Sequence, residues 1–297
     1  MTRRNQTLEV MLGQPPREAP DQSRTPTTYG MSDIGCLRSN NQDQFLVARL
    51  ERSVVLEQSG FPVEDGTRLS QTSPHMFMVA DGMGGHEGGD VASAVTIDAM
   101  AHYAFTTMPW LDADDEQAAQ DLVDGLAAAV GQAQERMLRI AARKHIDERL
   151  GSTLTMAYAV WPRLFLFHVG DSRAYLYRDG ELTRLTRDHN LAEEMVERQV
   201  MTAEEARGSR FSSMLTNALG GGTGSVHVEL HRVDLRAQDL ILLCSDGLHG
   251  EVTDGDIAKK LCFVTNTQLV RPCVQSLVDA ARRAGGRDNI TAVLARF

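Results

Sequence analysis

The chain has 297 residues, 42% hydrophobic and 24% charged, a balance that suits a globular fold with a sizeable core in one or two domains. Its formal net charge of −10 and pI of about 5.4 argue against nucleic acid or an anionic membrane as main partner, because those surfaces recruit clustered Lys and Arg. No apolar run approaches the roughly 18 residues of a membrane span.

The opening MTRRNQTLEV is basic but no apolar stretch follows it, so no signal peptide is expected and a cytoplasmic location is. Residues 1–27, rich in Pro, Arg, Gln, Ser and Thr, read as a flexible tail, and 28–297 as the folded domain. Cys36, Cys244, Cys262 and Cys273 form no CxxC pair. A zinc cage is therefore not expected, and buried free thiols in a reducing compartment are.

In chain order, Gln44–Arg49 reads as a strand, 57–75 as a loop, and Met76–Ala80 (MFMVA) as a buried strand ending in the turn Asp81-Gly82. Helices are predicted over Asp90–Thr106 and Glu116–Lys144, the second with Leu122, Leu126, Ala129, Val130, Ala133, Met137 and Ile140 on one face. Strands follow at Ser152–Trp161, Leu164–Val169, Arg173–Arg178 and Glu181–Thr186, the last two joined by the hairpin turn Asp179-Gly180. Short helices are predicted at Asn190–Arg198 and Thr202–Arg207, the second capped by Thr202 with Glu205 three residues on. Strands at Val226–His231, Asp239–Ser245 and Ile290–Arg296, with helices at Asp254–Phe263 and Leu269–Ala284, complete the pattern. This order lacks the regular strand–helix alternation of a doubly wound fold and fits packed sheets with helices outside.

Five aspartates lie where apolar strands begin or end: Asp43, Asp81, Asp171, Asp246 and Asp288. Asp81, Asp171 and Asp246 each adjoin a glycine, which lets backbone approach a ligand closely. Carboxylates brought together repel unless a cation neutralises them, and a set of oxygens without Cys or His suits Mg²⁺ or Mn²⁺. Each Asp-Gly also reads as a simple turn, and spacing does not establish that the five converge.

The ordered segments GCLRSNNQD (35–43), VADGMGGHEGG (79–89), GSTLT (151–155), HVGDSRAYLYRDGELTRLTRDH (168–189), LTNALG (215–220), LLCSDGL (242–248) and RDNITAVL (287–294) resemble the metal-dependent, type 2C (PPM) serine/threonine protein phosphatases in their compact bacterial form. The resemblance runs from about residue 29 to 297 and implies an α+β fold, a four-layer α-β-β-α sandwich of two antiparallel sheets flanked by helices, with 28–297 as the catalytic domain. It implies hydrolysis of phosphoserine and phosphothreonine in proteins by a hydroxide bridging two Mn²⁺ or Mg²⁺ ions, reversing a bacterial Ser/Thr kinase. Asp81 would bridge the two core ions, the Gly82 carbonyl would bind the first, and Asp246 and Asp288 the second. Asp171, with Asp246, would bind a weaker third ion. Asp43 would hold metal waters from behind, and Arg38 would grip the phosphoryl oxygens with its planar fork.

Two positions depart from the family pattern. Gln42 stands where many members have Glu, and Met83 where eukaryotic members have a His proposed as general acid. His86 is the nearby substitute, and metal-bound water is the expected proton source. Cys244, two residues before Asp246, reads as core rather than nucleophile. The stretch Leu191–Ser213 corresponds to a flap beside the cleft, with Met201, Arg207, Arg210 and Phe211 as candidate substrate contacts. The expected partners are phosphoproteins, a Ser/Thr kinase among them, acted on by a monomer. The rival readings are a phosphatase of a non-protein phosphoester and a pseudophosphatase that only binds phosphoproteins; the presence of all five aspartates and Arg38 speaks against the second.

Overall fold

The computed structural model describes residues 25–51, 53–55, 68–70, 73–84, 88–106, 116–144, 150–206, 209–220 and 226–297. In chain order the elements are β1 (Thr27–Asp33), β2 (Asp43–Arg49), β3 (Ser53–Val55), β4 (Arg68–Ser70), β5 (His75–Met83), α1 (Gly89–Thr106), α2 (Glu116–Lys144), β6 (Gly151–Ser152), β7 (Leu154–Val160), β8 (Arg163–Val169), β9 (Arg173–Arg178) and β10 (Glu181–Arg184). There follow α3 (Leu191–Glu197), α4 (Ala203–Ala206), β11 (Leu219–Gly220), β12 (Glu229–Asp234), β13 (Leu240–Cys244), α5 (Asp246–His249), α6 (Asp254–Leu261), α7 (Val270–Ala284) and β14 (Ile290–Arg296). Contacts divide the chain into two units. In the smaller, β3 and β4 pair antiparallel. The larger comprises Pro26–Leu50 and Ser73–Phe297 and holds every other element.

The larger unit contains two antiparallel sheets. One has the order β1-β14-β13-β9-β10; the other runs β11-β6-β5-β7-β8-β12, with β2 also paired to β5. The period-2 alternation of strands explains how they stack. In β5, Met76 and Met78 pack with Tyr103 of α1 and Leu126 and Met137 of α2, while Phe77 and Val79 point the other way. In β13, Leu240, Leu242 and Cys244 pack with Ile257 of α6 and Val274, Leu277 and Val278 of α7. The alternate residues Ile241 and Leu243 meet Phe77, Val79, Leu164 and Leu166 in the layer between the sheets. Both faces of both central strands are thus covered, which is why MFMVA and LILLC read as continuous apolar runs, and the result is the expected four-layer α-β-β-α sandwich.

The helices follow their pattern closely, α2 burying Leu126, Ala129, Val130, Ala133, Met137 and Ala141 at three- and four-residue spacing. The differences lie where pairing partners are distant in sequence. Strand β5 continues through Asp81 to Met83, because Gly82 and Met83 pair with Ser152 and Gly151. The strand predicted over Val226–His231 starts at Glu229, set by its register of Glu229 against His168 and Asp234 against Arg163. The stretch 57–75, read as loop, contains β4 and the start of β5. All four cysteines are free, but only Cys244 and Cys273 are buried. Cys36 sits in the turn after β1 and Cys262 caps α6, and both are exposed, contrary to expectation. Residues 1–24, most of the expected tail, lie outside the described residues. Among the described residues no helix is long and apolar enough to cross a membrane.

Candidate metal and phosphate site

The antiparallel register of β2 against β5 sets Asp43 directly opposite Asp81. Asp81 is held at its strand position by two bonds to Thr153: its N–H donates to Thr153 Oγ1 at 2.9 Å and its carbonyl accepts from Thr153 N at 2.9 Å. Gly82 is required by packing, since a Cβ there would lie 1.9 Å from the Gly89 carbonyl oxygen at the start of α1. Asp246 opens α5 at the end of β13, and Asp288 lies two residues before β14. The two segments interlock closely: a Cβ on Gly247 would sit 2.0 Å from the Asn289 carbonyl oxygen.

Asp171 occupies the turn between β8 and β9, which Gly170 makes with φ of +108°. Both backbone groups of Gly170 are bonded to His189: the N–H donates to Nδ1 at 3.1 Å and the carbonyl accepts from the His189 N–H at 2.7 Å. The Asp171 carbonyl accepts from Nε2–H of the half-buried His249 at 2.9 Å.

Asp81, Gly82, Asp171, Asp246, Asp288 and Arg38 all line one cavity of about 530 Å³, which Met83 and Gln42 also line. Asp43 lies behind it, 2% exposed, with Oδ2 accepting from Ser245 Oγ at 2.6 Å. Arg38 Nη2 donates to Asp288 Oδ2 at 2.5 Å, while Asp288 Oδ1 accepts from the Asn289 N–H at 2.9 Å.

Burial dominates the electrostatics, and the crowding of carboxylates adds to it. Burial, then the charges of Asp43 and Asp246, hold the Asp81 carboxyl well above its usual range. Asp171 is raised in the same way by burial and Asp246. Burial and Asp288 push Asp246 up to about 6, and burial pushes Asp43 up to about 7. Asp246 Oδ1 and Asp43 Oδ1 are buried and accept no hydrogen bond. A buried carboxylate oxygen without a donor, among four others, is a seat for a cation, and the all-oxygen donor set fits Mg²⁺ or Mn²⁺.

His168, His189 and Glu229 form a second cluster, with potential ligand atoms within 4.8 Å of one another. Its hydrogen bonds leave no free ligand set. His168 places Nδ1 2.9 Å from Thr155 Oγ1 and Nε2 2.8 Å from the Arg187 carbonyl oxygen. His189 Nδ1 accepts from the Gly170 N–H and from Asn217 Nδ2 at 3.0 Å, and Asn217 is fixed by a pair of bonds to the backbone of His227. The His189 proton therefore sits on Nε2, facing Glu229 Oε2 at 3.3 Å, while Glu229 Oε1 lies 2.6 Å from His231 Nε2. A metal on Nε2 would drive that proton onto Nδ1, where two donors already point. The cluster is a tether for the Asp171 turn.

The structure thus brings Arg38, Asp81, Gly82, Asp171, Asp246 and Asp288 to one cavity and places Asp43 behind it. From the flap segment Ser213 lines the cavity, as does Leu215 two residues beyond it; Met201, Arg210 and Phe211 do not. Arg210 instead lies over the Phe211 ring at 5.0 Å, the Phe211 carbonyl accepts from the Ala192 and Met214 N–H groups, and the Met201 N–H donates to the Met195 carbonyl. Arg207 and His86 lie outside the described residues. Sequence reasoning missed Asn289, His189, His249 and Ser245. Asn289 accepts from the Gln42 N–H at 2.8 Å and donates to the carbonyls of Ile34 and Asn40 at 3.0 Å each, so it fixes the loop that carries Arg38. The only signal for it was its place beside Asp288 in RDNI.

The profile of the family described as Protein phosphatase 2C matches residues 56–295. The serine/threonine protein phosphatase PstP of Mycobacterium tuberculosis is 37% identical over 267 residues, 89% of this chain and 43% of that protein, so the chain spans under half of this curated relative's length. The structure of the S. agalactiae serine/threonine phosphatase gives a TM-score of 0.74 at 27% identity, covering 91% of this chain and 99% of that one. The crystal structure of the PstP catalytic domain in complex with 2 manganese ions gives a TM-score of 0.70 at 32% identity, covering 91% and 97%.

Proposed function

The chain belongs to the protein phosphatase 2C family, and from that premise we propose that it hydrolyses phosphoserine and phosphothreonine esters in proteins with the help of bound Mn²⁺ or Mg²⁺. The observation that carries this reading is the crowding of Asp81, Asp171, Asp246 and Asp288 with Arg38 around one cavity, with Asp246 Oδ1 buried and unpartnered. Asp81, Asp246, Asp288 and the Gly82 carbonyl would hold two core ions, and Asp171 with Asp246 a weaker third. Bound ions of this kind offset negative charge on phosphoryl oxygens and acidify a water to serve as nucleophile near neutral pH.

The chain's own residues supply the rest. Arg38 is paired with Asp288 at the cavity wall; with Asp288 engaged as an ion ligand, the guanidinium fork would be free to bind the phosphoryl oxygens, whose geometry it matches. Asp43, hydrogen-bonded to Ser245, backs the cavity with a further carboxyl behind the ion ligands. Cys244 takes no part, because burial pushes its thiol up to about 12. Met83 lines the cavity and cannot donate a proton, so the leaving seryl or threonyl oxygen would take its proton from a water held beside Asp171 with the weaker third ion. By the same reading the substrates include a bacterial Ser/Thr kinase and its targets, and the protein works as a cytoplasmic monomer.

Hydrolysis of a phosphothreonine peptide and of an aryl phosphate with Mn²⁺, by the wild type and by Asp246→Asn, tests the proposal. We expect turnover of both substrates and a loss of several orders of magnitude in the variant, with its circular dichroism unchanged. Near wild-type turnover in the variant would remove Asp246 from the site. Hydrolysis of the aryl phosphate but of no phosphopeptide would favour a small phosphoester as substrate, and binding without turnover of either would make the chain a pseudophosphatase.

A further inference from the structure

We propose that the rim of the cavity selects phosphoresidues flanked by apolar side chains over those flanked by charged ones, and that Leu37 is the residue that reads the flank. The inference rests on the phosphoprotein reading above. Leu37 lines the same cavity as Arg38, its sequence neighbour, and is 73% exposed. A leucine in water usually retracts when its backbone is free to move, since apolar surface is better buried. Here the backbone is tied on both sides. The Gly35 N–H donates to Asp33 Oδ1 at 2.9 Å, the Cys36 N–H donates to the Gly286 carbonyl at 2.7 Å, and Asn289 Nδ2 donates to the carbonyls of Ile34 and Asn40. The loop therefore holds an apolar side chain in solvent at the mouth of a phosphate site.

The rest of the lining mixes the apolar Leu215 and Met83 with uncharged polar groups such as Asn40 and Ser213, and Met214, between Ser213 and Leu215, is 50% exposed. Among the described lining residues the only charges are Arg38, Asp81, Asp171, Asp246 and Asp288, all committed to ions and phosphate. A charged flanking side chain therefore finds, among the described lining residues, no charge left free to pair with it. An acidic one also meets the carboxylate cluster and a chain of net charge −10, which disfavours its approach. In an extended peptide a neighbouring residue lies about 3.3 Å along the chain from the phosphoresidue, within reach of a side chain adjacent to Arg38.

The test compares kcat/KM for phosphothreonine peptides carrying Leu, Ala, Asp or Lys at the positions next to the phosphoresidue, with saturating Mn²⁺, for the wild type, Leu37→Ser and Leu37→Met. We expect the wild type to favour Leu-flanked over Ala-flanked peptides about fivefold, a partial burial of two apolar side chains, and to handle Asp-flanked peptides worst. Leu37→Ser should bring the Leu/Ala ratio close to one, and Leu37→Met should retain most of it. A wild-type ratio near one, or a ratio unchanged in Leu37→Ser, would leave Leu37 an ordinary exposed leucine and overturn the inference while the phosphatase reading stands. No turnover on any peptide would overturn both.

Discussion

Removing the metal should make the stability of this protein depend on pH in a predictable direction. An aspartate in an unfolded chain titrates near about 3.9, whereas burial and crowding hold Asp246 at about 6 and Asp43 at about 7 in the folded, metal-free protein. Between those limits the native state binds more protons than the unfolded state, so these groups stabilise the metal-free fold at low pH and that contribution is lost as pH rises through 6 and 7. Cations reverse the trend by replacing the protons. At about pH 5 the proton on Asp246 lies about one unit below titration, so an ion binding there gives up about 1 kcal/mol relative to about pH 7.5, and the raised carboxyls of Asp81 and Asp171 act in the same direction. In a domain of this size that is about 3 °C in Tm from Asp246 alone. The neutral histidines His168, buried, and His249, half-buried, lowered to about 4 and about 3, act in the opposite sense, adding stability as pH rises towards the unfolded value. Both are already neutral in the folded protein at about pH 5 and above, so the difference in Tm between Mn²⁺-loaded and chelator-treated protein isolates the carboxylates. Differential scanning fluorimetry at the two pH values, with the same free excess of Mn²⁺, should show that difference growing by at least about 3 °C from the lower to the higher pH. An equal difference at both would mean that the aspartates hold no protons the metal must displace, and the crowded-carboxylate account of the site would fail.

Arg38→Ala removes phosphoryl binding but leaves the carboxylates in place, so kcat/KM for phosphoesters should fall about 10–100-fold; an unchanged value would mean that the guanidinium stays on Asp288. Asp171→Ala deletes a buried carboxyl that burial and Asp246 hold well above its usual range, so the metal-free Tm should not fall, two ions should still bind tightly, and phosphopeptide turnover should drop far more than aryl phosphate turnover. Equal losses on both substrates would place Asp171 with the core ions. Asn289→Ala removes three bonds that fix the Arg38 loop and leaves the Gln42 N–H without its acceptor, a cost of about 2–4 kcal/mol. It should lower kcat/KM chiefly through KM while Asp246→Asn lowers kcat, and steady-state kinetics of the two variants side by side would expose the contrary case.

What could be read from the sequence was whatever depends on neighbours along the chain. The helix α2 was legible to its last residue because burial repeats every three or four positions in one segment. The aspartates were legible as strand-end acids because each has its apolar strand and often its glycine beside it. Their convergence was not, because it is made by register between distant segments: Asp43 meets Asp81 only through the pairing of β2 with β5, and Asp246 meets Asp288 only because Gly247 lets Asn289 pack against it. The resemblance to a family supplied that step where spacing did not. The tethers escaped for the same reason. His189 belongs by sequence to a segment after a hairpin, yet it satisfies both backbone groups of Gly170, nineteen residues earlier. Leu37 shows the converse case: in GCLRSNN it has the composition of a core residue, and only a loop tied down by Asn289 from the far end of the chain keeps it in water. An apolar residue held exposed by hydrogen bonds made elsewhere is information that resides in the fold alone. That places the choice of substrate, unlike the chemistry of the ions, beyond what the local sequence around the aspartates can encode.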